Sequence, residues 1–212
     1  LPTRLPTPTA TATPFALPAE AYYERGAQRQ RAADMGKARQ YFTWALELDP
    51  AFAAAYVSRG SVHLAQGDLE AALGDADAAL ALERTAEAYW LRGEVLRAAE
   101  RYTEALQALD EAGAQDPDLR DETFQSRWNA ARGIKNQDAL AALGAEYAAA
   151  HPDDGLRYYY QAWEAVVSQR YREAIAILVR AIEDAPRETA LLWYTLGRAY
   201  VGVEAWEEGV AS

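Results

Sequence analysis

The sequence contains no cysteine, one methionine and two histidines, and only two of its 21 basic residues are lysine (Lys37 and Lys135). The lack of cysteine excludes a disulfide framework, a thiolate metal site and a thiol nucleophile. His63 and His151 lie too far apart to form a local metal pair, so no metal and no cofactor is expected. No glycine-rich phosphate loop is present, and no apolar run reaches the roughly 18 residues needed to span a membrane. The net charge of −11 withholds the positive face that nucleic-acid binding requires. Carboxylates are plentiful, but they sit at helical surface positions such as Glu70, Asp75, Glu104, Glu111 and Glu183. Solvated helix faces and i,i+4 pairs account for them. Neither histidine has a base or nucleophile partner in sequence, and an enzyme is not expected.

What the chain does have is proline in two distinct settings. Five of its nine prolines fall in the first 18 residues, LPTRLPTPTATATPFALP. Proline fixes φ, removes a donor and pushes the preceding residue toward extended geometry, so residues 1–18 are expected to form an extended, polyproline-like arm. The chain opens with Leu rather than Met, and an upstream segment removed by processing is expected. A Pro/Thr spacer after such a segment points to an extracellular or cell-surface setting, with the cytoplasm as the alternative.

The other four prolines, Pro50, Pro117, Pro152 and Pro186, are spaced by 67, 35 and 34 residues, and 67 is two periods of about 34. Aligned on them, four blocks (19–50, 53–84, 86–117 and 155–186) open with an aromatic: Tyr22, Tyr56, Tyr89 and Tyr158. A very small residue follows four positions later: Gly26, Gly60, Gly93 and Ala162. Each block then carries paired alanines at fixed places, such as Ala38 with Ala45 and Ala105 with Ala112. A small residue on one helix admits a second helix closely, paired alanines give the matching shallow face, and proline ends the second helix. Aromatics such as Tyr41, Phe42, Tyr102 and Tyr171 are expected between neighbouring repeats. Residues 121–152 keep the length but place Trp128 at the small position, which alters the spacing of that pair. Arg84 replaces the proline of the second block, and a looser turn is expected there.

In these positions the chain resembles the tetratricopeptide-repeat family across residues 19–212. The resemblance implies an all-α fold, a right-handed superhelical solenoid of antiparallel helix pairs behind the extended arm. Repeats are expected at about 19–52, 53–85, 86–119, 120–154 and 155–189, with a partial sixth over 190–212. The last would hold one clean helix and, from about Val203, the stub of a second.

Solenoid ends normally carry a polar cap, and the final segment instead offers Leu191, Leu192, Trp193, Tyr200, Trp206 and Val210. Together with Leu5, Phe15 and Leu17 of the arm, these are candidate self-assembly residues. The reading is a non-enzymatic, secreted structural subunit stacking head-to-tail into a filament or tube, with other copies of itself as partners. The alternative is a monomeric, surface-tethered adaptor that binds a peptide. The resemblance implies a concave groove, and by register Tyr23, Trp90, Tyr159 and Tyr194 should face it, with Trp163, Arg97, Arg132 and Arg198 nearby. The lysine and asparagine clusters by which some family members hold C-terminal carboxylates are absent here. An aromatic groove suits an apolar or proline-rich peptide.

Overall fold

The computed structural model describes residues 17–184 and 189–211, and every element among them is an α-helix. Leu5, Phe15 and Pro186 lie outside the described residues, as do the side chains of Trp206 and Val210. The chain divides into two compact units, with the boundary between Arg84 and Thr85. That is the turn in which arginine replaces the expected proline.

The first unit holds two helical hairpins: α1 (Ala19–Arg31) with α2 (Met35–Leu48), and α3 (Ala53–Ala65) with α4 (Leu69–Leu82). The second holds α5 (Ala86–Ala98), α6 (Tyr102–Gln115), α7 (Asp118–Gly133), α8 (Gln137–Ala150), α9 (Leu156–Val167), α10 (Tyr171–Asp184) and α11 (Thr189–Ala211). Pro50, Pro117 and Pro152 each stand two residues past the end of a second helix. Two of them follow an aspartate. The side chains of Asp49 and Asp116 accept from the backbone N–H two residues on, at 3.0 Å each, and fix the turn.

A second periodic feature lies inside the hairpins. Ala33, Gly67, Glu100, Lys135 and Gln169 all have φ between +53° and +79°, at spacings of 34, 33, 35 and 34 residues. Each is the left-handed residue that ends a first helix. The N–H of the following residue closes onto the carbonyl five positions back (Asp34 to Arg29, Asp68 to His63, Arg101 to Leu96, Asn136 to Ala131, Arg170 to Ala165) at 2.8–3.0 Å. That following residue is also where the second helix begins. Asp34, Asp68 and Asn136 accept from the N–H three residues on, at 3.3, 3.3 and 3.1 Å, as N-caps. One short turn therefore stops one helix, reverses the chain and starts the next.

The alanines expected to form the shallow face (Ala38, Ala45, Ala72, Ala79, Ala105, Ala112, Ala174 and Ala181) are all fully buried. A Cβ on Gly26 would lie 2.6 Å from the ring of Phe42, and one on Gly93 would lie 2.6 Å from Leu109 Cγ. Phe42 therefore fills its own hairpin and also packs with Val62 of α3 in the next one, as expected from sequence. Tyr102 and Tyr171 do bridge consecutive hairpins. Their rings cover Gly133 at the end of α7 and Gly202 in α11, at distances that exclude a side chain there. At the altered small position, Trp128 is fully buried, with its ring 6.1 Å from Phe124 and 4.8 Å from Tyr160 of α9. The α7–α8 pair survives by turning that bulk into an aromatic core.

Two arginines, Arg59 half-buried and Arg127 buried, tie helices together. In the first unit Arg59 of α3 grips Asp75 of α4 at 2.6 and 2.9 Å. In the second, Arg127 of α7 meets Asp110 of α6 at 2.8 Å and Glu146 of α8 at 2.8 Å.

The final element departs from expectation. Instead of a helix, a turn near Val203 and a stub, α11 runs unbroken through 23 residues. Val203 stands where the next left-handed residue would fall, one beat of 34 after Gln169. A β-branched side chain is excluded from that conformation far more strongly than Ala, Glu, Lys or Gln, so the helix continues.

Candidate functional site

Tyr159, Trp163 and Val167 follow one another at intervals of four on α9, which places them on one face. Tyr194 and Arg198 do the same on α11, and Arg132 and Lys135 come from the last turn of α7 and the turn beyond it. These seven residues line one cavity of about 600 Å³ within the second unit. A second cavity, of about 630 Å³, shares Val167, Tyr194 and Arg198 with the first and continues along α11 past Trp193, Gly197 and Val201.

The first cavity is aromatic and cationic. The guanidinium carbon of Arg198 lies 4.6 Å from the ring centre of Trp163, and that of Arg132 lies 5.4 Å from the same ring. Stacking of this kind holds a guanidinium in place while leaving its N–H edge free to donate. The Trp163 ring is buried and packs 5.9 Å from Tyr159, and its indole N–H has no hydrogen-bond partner. Burial pushes the Tyr159 phenol above its ordinary value, against the opposing pull of the Arg132 and Arg198 charges. No carboxylate among the described residues lines either cavity. Among the described residues, neither Arg132, Lys135 nor Arg198 has an acidic partner within ion-pair distance. The continuation along α11 is apolar, with Trp193, Tyr194 and Val201 more than half exposed.

Five of the eight groove residues expected from sequence therefore converge: Arg132, Tyr159, Trp163, Tyr194 and Arg198. The other three do not join them. Tyr23 packs in the core of the first unit, 5.7 Å from Phe42 and 5.0 Å from Phe52. Arg97 is taken by Glu94 on its own helix at 2.8 Å, and Trp90 is half-buried on α5. Lys135 and Val167 were missed. Lys135 lies outside any helix, and Val167 is the aliphatic third member of an i,i+4 series whose first two members are aromatic.

Of the self-assembly candidates, Leu17 packs on the Tyr22–Leu46 cluster of the first unit. Leu191, Trp193 and Tyr200 are exposed, at 39, 56 and 48%. Leu192 is fully buried, which corrects its assignment to an open surface: it lies on the covered side of α11, nearly opposite Tyr194. A smaller cavity, of about 280 Å³, opens at the start of α10. There Arg170 is neutralised by Glu164 and Glu173.

The described residues contain no cluster of three or more His, Cys, Asp or Glu side chains able to hold a metal ion. His63 Nδ1 lies 3.5 Å from Asp68 without hydrogen-bond geometry, and His151 lies 3.8 Å from Asp121 and against the Tyr147 ring. No described helix is long and apolar enough to cross a membrane.

Comparison with protein families matches residues 23–84 and 63–119 to the tetratricopeptide repeat. No curated protein matches the chain in sequence. Among solved structures, the MamA protein superimposes with a TM-score of 0.70 at 17% identity, covering 80% of this chain and 93% of its own. YrrB, a tetratricopeptide-repeat protein described as having an unusual peptide-binding site, gives 0.66 at 20% identity, with 83% and 90% covered. A tetratricopeptide repeat protein from Parabacteroides merdae gives 0.70 at 18% identity, with 88% and 78% covered. These likenesses show a shared solenoid fold of helix pairs.

Proposed function

This chain is a tetratricopeptide-repeat protein, and from that premise we propose that it is a non-enzymatic scaffold that holds a segment of a partner protein in the groove formed by α7, α9 and α11. The observation that carries this reading is Trp163: a buried indole under two stacked guanidiniums, in a cavity of about 600 Å³ that no carboxylate among the described residues lines. Cavities of this size, walled by aromatic and aliphatic side chains with a few convergent polar groups, are where ligands bind. The peptide-binding site described for YrrB, which shares the fold, supports the same reading. The test is selection of twelve-residue peptides from a displayed random library on the intact chain. Selected peptides should lose at least tenfold in affinity against a Tyr194→Ala, Arg198→Ala variant, whose exposed side chains are dispensable to the fold. Failure to select any peptide, or equal binding by the variant, would overturn it.

A second reading is head-to-tail self-assembly outside the cell. It is favoured by the exposed row Leu191, Trp193, Tyr194, Tyr200 and Val201 on α11, because apolar patches of this kind commonly mark interfaces. Sedimentation velocity should then show large species, lost in a Trp193→Ser, Val201→Asp variant. A monomer at high concentration would sink this reading. The extracellular setting rests on the Pro/Thr-rich arm alone, and detection of the chain only inside cells would remove it.

A further inference from the structure

The cations of the groove stand apart from the others the structure joins to acids. Arg59, Arg97, Arg101, Arg127 and Arg170 are each engaged by a carboxylate. With 32 acidic against 21 basic residues, an arginine of this chain has acids in excess to pair with. Arg132, Lys135 and Arg198 nevertheless converge on one cavity with no acidic residue among the described residues of its lining. Three like charges gathered around a buried indole repel one another, and among the described residues no carboxylate of the lining offsets that repulsion. The arrangement is complementary to an anion brought from outside. Both guanidiniums are already oriented by the Trp163 ring, so little ordering cost remains when they accept one.

The neighbouring cavity completes the specification. It shares Tyr194, Arg198 and Val167 with the first, and beyond them its walls are apolar: Val166, Trp193 and Val201. A ligand lying across both meets positive charge at one end and an aromatic and aliphatic surface at the other. Deepening the peptide-binding reading on which this rests, we propose that the occupant is an acidic peptide segment. Its side-chain carboxylates meet Arg132, Lys135 and Arg198, and an adjoining apolar side chain sits against Trp193 and Val201. Side chains rather than a chain terminus are the source, because three cations call for about three negative charges and a terminus supplies one.

The test uses the intact chain and two fluorescently labelled twelve-residue peptides, both amidated at the C-terminus. They share tryptophan or leucine at every third position and differ only in that all remaining positions are glutamate or all are glutamine. Fluorescence anisotropy at a single, physiological ionic strength should show the glutamate peptide binding at least tenfold more tightly. Arg132→Gln and Arg198→Gln should each weaken it by about three- to tenfold, the range of one or two modest charge-assisted contacts. Neither change should alter the glutamine peptide. A glutamate peptide with a free C-terminus should bind within about twofold of the amidated one. Equal affinity for the glutamate and glutamine peptides would overturn the acidic assignment while leaving a peptide site in place. A strong gain from the free terminus would overturn the side-chain source. Binding of neither peptide would take the peptide-binding reading down as well. Both arginines are solvent-exposed, and matching circular-dichroism melts confirm that the variants are folded.

Discussion

The left-handed turns offer a controlled experiment on backbone strain. Ala33 and Gln169 sit at φ +58° and +60°, Gly67 occupies the equivalent place at +79°, and all three are exposed. Substitution there changes almost no packing. A non-glycine residue in this conformation costs about 1–2 kcal/mol, since Cβ approaches the following carbonyl. Glycine avoids that cost but adds about 0.4–1 kcal/mol of freedom to the unfolded chain. The difference predicts that Ala33→Gly and Gln169→Gly each stabilise by about 0.5–1 kcal/mol, and that Gly67→Ala destabilises by a similar amount. Sites this far apart should combine additively. Urea titration followed by circular dichroism, at matched m-values, reads the free energies. Thermal melts should move by about 1–4 °C in the same directions. If Gly67→Ala is neutral, or Ala33→Gly loses stability, the capping turns are not set by backbone strain and the account of the hairpins is wrong.

Three further outcomes follow from the packing. Gly93→Ala should destabilise by about 1–2 kcal/mol, because a Cβ 2.6 Å from buried Leu109 and 3.3 Å from the Ala105 carbonyl overpacks by more than the gain in helix propensity returns. Gly74→Ala, with nothing within 4 Å, should stabilise by about 0.5–1 kcal/mol in the same denaturation assay. Asp75→Ala should cost about 2–4 kcal/mol by stranding Arg59, and the double variant Arg59→Met, Asp75→Leu should recover most of it; an additive double-mutant cycle would refute the coupling. The Tyr159 phenol is raised in the folded state, so its contribution is complete below the ordinary tyrosine value near 10 and is lost as pH rises above it. Tyr159→Phe should flatten that part of the stability profile above pH 10, and an unchanged profile would contradict it.

Much of the fold could be read before the structure because its determinants are residue types with one dominant meaning. A proline at 50, 117 or 152 can only end or begin a helix, and a glycine at 26 or 93 facing a paired-alanine helix has one steric purpose. The left-handed positions were invisible for the opposite reason: alanine, glycine, glutamate, lysine and glutamine share only the lack of a β-branch, which most residue types also lack, and only the backbone shows what they do. Leu192 was misplaced because an i,i+3/i+4 pattern fixes a face but not which neighbour covers it. The groove was legible at its aromatic and arginine positions on α9 and α11. It was not legible at Lys135, which the turn geometry, rather than a helical register, brings to the site.

The unbroken course of α11 gives Val203 a meaning larger than its size. Five times the chain reverses at this beat, and the sixth time a second methyl on Cβ carries it straight on. The eight residues from Glu204 to Ala211 extend the helix by about 12 Å past the place where its predecessors turn. Whether the chain reverses or runs on at this beat therefore turns on whether one residue per period tolerates a positive φ.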